Sequence, residues 1–147
     1  EGIFQAAGVP HAYLRGQNIE LMACSDNVIR GGLTPKHVDI EQLLKIIDCS
    51  EIVPQIIAPA PQNQVYIYPT PIADFALSNM PYAKNTKIFD RTLNGTILLV
   101  MAGEMTLEAR QQKLTLKQGQ AAFIEADTDY RMHGMQEGYA VLAGLPI

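Results

Sequence analysis

No apolar run in this chain approaches the ~20 residues of a membrane-spanning helix, and the start, Glu1-Gly2-Ile3-Phe4, lacks the basic stretch and apolar core of a signal peptide. Cations are also in short supply. Eleven Lys and Arg stand against 15 Asp and Glu, a net charge of −4 that argues against nucleic acid or an anionic membrane surface as a partner. Only two cysteines are present, Cys24 and Cys49, without metal-type spacing. They read as two reduced cytosolic thiols rather than a disulfide, which predicts a cytoplasmic protein. Neither an internal repeat nor a low-complexity tract interrupts the 147 residues. A chain of that length can bury a core of its own. Glu1 is not Met, and Gly2-Ile3-Phe4 already reads as strand, so the expectation is a piece of a longer protein.

What is present is mostly short strands. Residues 2–24 read as consecutive strands, broken by a turn at Ala6-Ala7-Gly8-Val9-Pro10 and another at Arg15-Gly16-Gln17-Asn18. Alternation would put His11 and Tyr13 on one face, and Glu20, Met22 and Cys24 on one face of the next strand. One helix is convincing. Asp39 can cap it, Gln42 suits the reciprocal capping position, and Ile40, Leu43, Leu44 and Ile47 have the spacing of a buried stripe. Pro54, Pro59 and Pro61 then mark an extended connector.

From Val65 onward the pattern returns to strands. Val65 to Tyr68, Ala73 to Leu77, Thr86 to Phe89, Met105 to Ala109, Leu114 to Leu116, Ala121 to Ile124 and Tyr139 to Leu142 are candidates. Thr96 to Met101 is a continuous apolar run, which predicts a strand buried on both faces. Glycine turns fall at Gly95, Gly103, Gly119 and Gly138. The fold class expected is therefore mainly β, a sandwich or jelly-roll barrel with one short connecting helix.

Chemistry concentrates between Pro10 and Lys36. His11 could ligate zinc, although a lone histidine is more often structural, since catalytic zinc takes three protein ligands. His37 and His133 lack even a neighbouring donor at ligand spacing. Arg30 and Lys36 flank Gly31-Gly32, a pairing suited to a phosphate or an oxyanion, or simply to two solvated charges. Glu20 would serve as a general base only if enclosed, and Tyr13 could orient a sugar hydroxyl or sit half-buried in a strand.

In order, the run Pro10-His11-Ala12-Tyr13-Leu14, Ile19-Glu20-Leu21-Met22-Ala23-Cys24-Ser25-Asp26-Asn27 and Arg30-Gly31-Gly32-Leu33-Thr34-Pro35-Lys36 resembles the signature of type I mannose-6-phosphate isomerases, zinc enzymes of the cupin superfamily. Gly2 to His11 also resembles the second cupin motif, with Ala6 where proline is usual. Residues 86–147 look like that family's C-terminal β-barrel. The resemblance implies interconversion of mannose 6-phosphate and fructose 6-phosphate through a cis-enediol. It makes His11 one of four zinc ligands, Arg30 the stabiliser of the enediolate and Glu20 the candidate base. Tyr13, Asp26 and Lys36 fall on substrate-pocket positions.

The departure is equally definite. The family's other ligands come from a Gln-x-His pair and a glutamate in its N-terminal half, and neither Gln-x-His nor His-x-His occurs here. This chain alone is therefore expected to be inactive and not to retain zinc. Its partners would be a hexose 6-phosphate and the missing N-terminal half of the same protein, or a pairing chain. The division implied is 1–38 closing a catalytic barrel, 39–64 crossing over, and 65–147 forming a non-catalytic accessory barrel. The alternative is a cupin-like sugar-binding or assembly module without catalysis, and a third is a purely structural β-domain.

Overall fold

Alternation of apolar and polar residues dominates the second half of the chain, and strands form there. The computed structural model describes residues 1–25, 27–58 and 64–146. Its elements are β1 (Gly2–Ile3), α1 (Ile40–Ile46), β2 (Ile56–Ile57), β3 (Tyr66–Ile67), β4 (Ala76–Tyr82), β5 (Lys87–Thr92), β6 (Thr96–Ala102), β7 (Glu104–Ala109), β8 (Gln112–Lys117), β9 (Ala121–Ile124), β10 (Thr128–Gly134) and β11 (Gly138–Gly144). All the pairings are antiparallel. One sheet has the order β5-β10-β7-β8, the other β3-β4-β11-β6-β9. The mainly β, jelly-roll expectation holds.

The core lies between these two sheets. From the five-stranded sheet come Met80, Tyr82, Leu98, Val100, Ala122, Ile124 and Ala140, and from the four-stranded sheet Met105, Leu107, Leu116, Tyr130 and Met132, all buried. Two polar contacts lock the ends of the barrel. The Tyr82 hydroxyl donates to the Ala102 carbonyl at 2.8 Å. Thr92, itself buried, donates through Oγ1 to the Glu125 carbonyl and accepts from the Thr128 N–H at 3.2 Å, joining β5 to the start of β10.

Turn chemistry is partly legible and partly not. Gly103 lies in the left-handed region (φ 81°), as a tight β6–β7 connection requires. Gly138 is needed for a different reason: a Cβ there would sit 1.9 Å from the Ala102 oxygen. The β7–β8 hairpin pairs Ala109 with Gln112, leaving Arg110 (φ 45°) and Gln111 (φ 65°) as a two-residue loop with both φ positive. That is the backbone of a twisted hairpin turn, made here without glycine or asparagine.

Four expectations need correction. The run 2–24 is not a series of strands: only Gly2–Ile3 is one, and its partner is the distant Ile56–Ile57. Backbone hydrogen bonding needs a neighbour, and among the described residues no adjacent segment provides one. Helix α1 forms as capped, with Asp39 accepting from the Gln42 N–H at 3.0 Å, but its stripe is not buried. Ile40 and Leu44 are exposed because no other element packs on that side among the described residues. Strand β6 buries Leu98 and Val100 fully while Ile97 stays 52% exposed, so one face is covered and the other is not. Finally, β10 was not expected at all, and it lies in the interior of the four-stranded sheet. Residues 59–63 of the expected connector fall outside the described residues.

Residues 1–58 touch the barrel sparingly. Gly2 lies against the Tyr68 ring, where a Cβ would come within 2.8 Å. Gly8 (φ 81°) approaches the end of α1, and its carbonyl accepts from the Asp48 N–H at 2.8 Å. No helix among the described residues is long and apolar enough to cross a membrane.

Replacing fully buried Leu98 by Ala should cost about 2–5 kcal/mol, read as a lowered denaturation midpoint. Gly138→Ala should destabilise severely, because the clash is with backbone, whereas Gly119→Ala meets no atom but is strained by its left-handed backbone (φ 81°), a cost of about 1–2 kcal/mol. Burial, and then the Asp90 carboxylate, push the Tyr130 phenol well above its ordinary value. The folded state thus holds the phenolic proton more tightly than the unfolded chain. Stability linked to Tyr130 should be complete below about pH 10 and lost as pH rises toward the folded value. Denaturation midpoints of Tyr130→Phe should fall less steeply above that pH than those of the parent.

Candidate functional site

Gly8 sets the direction of the segment that carries His11. Its left-handed backbone packs on the end of α1, and the Val9 N–H turns back onto the Ala6 carbonyl at 3.4 Å. His11 Nδ1 donates to the Val9 carbonyl at 3.2 Å. That bond selects the tautomer whose Nε2 carries a free lone pair, the form able to bind a metal.

Nε2 lies 3.7 Å from Glu20 Oε1, with the imidazole 38% and the carboxylate 53% exposed. The Tyr13 ring stands edge-on to His11, centroids 5.8 Å apart. Partial desolvation raises the Tyr13 phenol, and the Glu20 charge and its hydrogen bond raise it further, while Asn18 opposes them. His11, Tyr13 and Glu20 therefore form one cluster; His11 and Tyr13 are neighbours here without the strand from which their common face was expected. Glu20 is not enclosed by the residues described.

Arg30 and Lys36 are exposed, in an irregular loop where Gly32 (φ 126°) and Leu33 (φ 50°) leave the extended region. The Lys36 N–H donates to Thr34 Oγ1 at 3.2 Å. Neither cation makes an ion pair or hydrogen bond with the His11 cluster among the described residues. Asp26 lies outside the described residues. Cys24 and Cys49 are free and exposed.

No group of three or more His, Cys, Asp or Glu side chains among the described residues could hold a metal ion. The chemistry of the donor set says the same: His11 and Glu20 supply two donors, and a zinc site takes at least three from protein. The described residues alone do not fit a zinc ion.

No protein-family model matches the chain. Curated relatives do. Mannose-6-phosphate isomerase of Salmonella typhimurium is 39% identical over 133 residues, 86% of this chain and 33% of the relative. The Rattus norvegicus protein of that name is 37% identical over 136 residues, 86% and 32%. Among solved structures, the Salmonella typhimurium enzyme described as bound to fructose 6-phosphate and zinc superposes with a TM-score of 0.69 at 30% identity, covering 86% of this chain and 32% of that one. In sequence and in fold alike, the chain matches the C-terminal part of the mannose-6-phosphate isomerases. It spans about a third of the length of the relatives it matches. A cupin superfamily protein of Desulfitobacterium hafniense, at 18% identity and a TM-score of 0.51, shares the fold.

One further group of side chains escaped the sequence reading: Lys87, Phe89, Arg131 and His133, together on the four-stranded sheet. The polar alternation Asp129, Arg131, His133 was the available signal, but only strand register reveals what lies beside it.

If Glu20 raises the Tyr13 phenol as described, Glu20→Gln should bring that phenol down toward its ordinary value. Carbon-13 NMR titration of labelled tyrosine reads the shift, and an unchanged Tyr13 curve would break the link between the two side chains.

Proposed function

We propose that this chain forms part of a zinc-dependent aldose-ketose isomerase that interconverts mannose 6-phosphate and fructose 6-phosphate. The observation that carries the reading is the convergence of His11 and Glu20, 3.7 Å apart, within a chain 39% identical to such an isomerase. A second finding supports the same pair. Solved variants of the Salmonella typhimurium enzyme replace by alanine a histidine and a glutamate nine positions apart, the separation of His11 and Glu20.

In this reading His11 donates one ligand to zinc, and the other donors come from parts of the protein beyond these residues. Glu20 takes the proton from C2 of the aldose and returns it to C1, while the proton of the C2 hydroxyl passes to the C1 oxygen, so that the carbonyl moves from C1 to C2 through a cis-enediol; the reverse reaction retraces these transfers. Charge that develops on the enediol oxygens during that transfer is stabilised by the Arg30 guanidinium. Lys36 binds the phosphate, and Tyr13 and Asp26 contact sugar hydroxyls. Exposure of the site fits an arrangement completed by other segments, since a half-exposed carboxylate is a poor base for carbon acids until water is excluded. The two exposed thiols support a reducing, cytoplasmic setting.

A non-catalytic sugar-binding or assembly module is the second reading, favoured by the incomplete donor set. Zinc separates the two. In the complete protein, His11→Ala should lower both bound zinc and isomerase turnover, and Arg30→Ala should lower kcat by roughly 10²–10³ without lowering zinc. An Arg30→Ala protein with undiminished turnover would remove Arg30 from the chemistry. A complete protein with neither zinc nor turnover would favour the binding module. The 147-residue chain alone should carry no stoichiometric zinc by intact mass and metal analysis.

A further inference from the structure

The outward face of the four-stranded sheet carries a second polar constellation, on the barrel rather than on the His11 segment. Met132, Leu107 and Ile88 turn toward the core, so their sequence neighbours turn outward. Register then sets two rows across the strands. Lys113 pairs with Glu108, Glu108 with Arg131 and Arg131 with Phe89; beside them, Thr106 pairs with His133 and His133 with Lys87.

The rows line a cavity of about 260 Å³ formed by Lys87, Phe89, Thr106, Glu108, Arg131 and His133. Thr106 is only 5% exposed although it belongs to the outward row, which makes it the floor, while Phe89 is 66% exposed at the side. A wider groove of about 860 Å³ adjoins it and shares Phe89, Glu108 and Arg131.

Charge is unevenly compensated. Glu108 is engaged by Lys113 at 2.7 Å, and that contact above all holds its carboxyl below the usual range, with Arg131 and His133 adding to the effect. Arg91 and Arg110 have their own carboxylates. Lys87 and Arg131 make no ion pair among the described residues. Instead, the Arg131 guanidinium carbon lies over Phe89, 5.1 Å from the ring centroid, which holds it in place without neutralising it. Two cations outside any ion pair among the described residues, an imidazole and a hydroxyl thus face one pocket, together with the Glu108 carboxylate, whose charge is held chiefly by Lys113.

Such a set favours a compact anion, and the exposed face of Phe89 favours a body that presents C–H groups. We propose that this pocket binds a phosphorylated sugar. Lys87 and Arg131 hold the phosphate, His133 and Thr106 add hydrogen bonds, and the sugar ring lies against Phe89. The site is distinct from the His11 cluster and stands whether or not the isomerase reading does.

The test is an amide-resolved NMR titration of the 147-residue chain with glucose 6-phosphate, and in parallel with methyl glucoside and with inorganic phosphate. Saturable binding of glucose 6-phosphate is expected, with shifts concentrated in β5 and β10, weaker binding of phosphate and none of methyl glucoside. Arg131→Ala and Lys87→Ala should each weaken binding about tenfold or more, the loss of a charge-assisted contact. Arg131→Lys, which keeps the charge, controls for folding and should retain part of the affinity. Absence of saturation at millimolar ligand, shifts confined to residues 9–37, or undiminished affinity in both alanine variants would overturn the proposal. Phosphate bound as tightly as glucose 6-phosphate would overturn the sugar part of it.

Discussion

Burial between two antiparallel sheets is the interaction on which the rest of this molecule depends. Leu98, Val100 and Ala140 from one sheet meet Met105, Leu107 and Met132 from the other, and all are shielded from water. Each full burial of a Leu, Val or Met side chain is worth about 1.5–3 kcal/mol, so the sum easily outweighs any surface ion pair. Strand register is held by that core, because a slip of one residue would turn every apolar side chain outward. Everything displayed on the outer faces, including the Arg131 and Lys87 rows, inherits its placement from the same register.

The first third of the chain lacks such a core. Leu14 and Leu33 are almost wholly exposed, Met22 and Val28 about half so, and Val53 and Ile56 just beyond are exposed too. Its order rests on a two-residue strand pair, a seven-residue helix and close approaches at Gly2 and Gly8. A segment with few buried contacts opens at low free-energy cost. The His11, Tyr13 and Glu20 side chains nevertheless lie together, through a local hydrogen bond and an edge-on ring contact rather than through burial. A site built this way is adaptable, and a charge on it is strongly screened by solvent until other groups cover it.

Two kinds of polar cluster are therefore present. The one around His11 offers two electron-pair donors, an imidazole nitrogen and a carboxylate, groups used in proton transfer and metal ligation. The one on the barrel offers cations and a ring on a rigid sheet, and suits recognition. Rigid sheets hold side chains more precisely than irregular loops do.

Much of the second half was legible as sequence. The alternation in β7 and β8 and the glycine at the β6–β7 turn are local signals, readable within a few residues, as is the Asp39 cap with Gln42 in the first half. His11 and Tyr13 do lie side by side, but through an edge-on ring contact in an irregular segment rather than through the strand alternation that suggested it. What escaped was non-local. Residues 4–24 have strand-like sequence but no strand partner among the described residues, and so do not become strands. Strand β10 carries Asp129, Arg131 and His133, which disguised its buried alternate residues Tyr130 and Met132. Arg110 and Gln111 make a left-handed turn without the usual residues because the flanking strands impose it. Sequence by itself determined which residues could form strands and a helix, since those preferences depend on side-chain period and backbone sterics. Tertiary structure alone decided that β10 sits between β5 and β7, bringing Lys87 beside His133 and Phe89 beside Arg131. Pairing of strands distant in the chain is chosen by the shared core, and no local pattern encodes it.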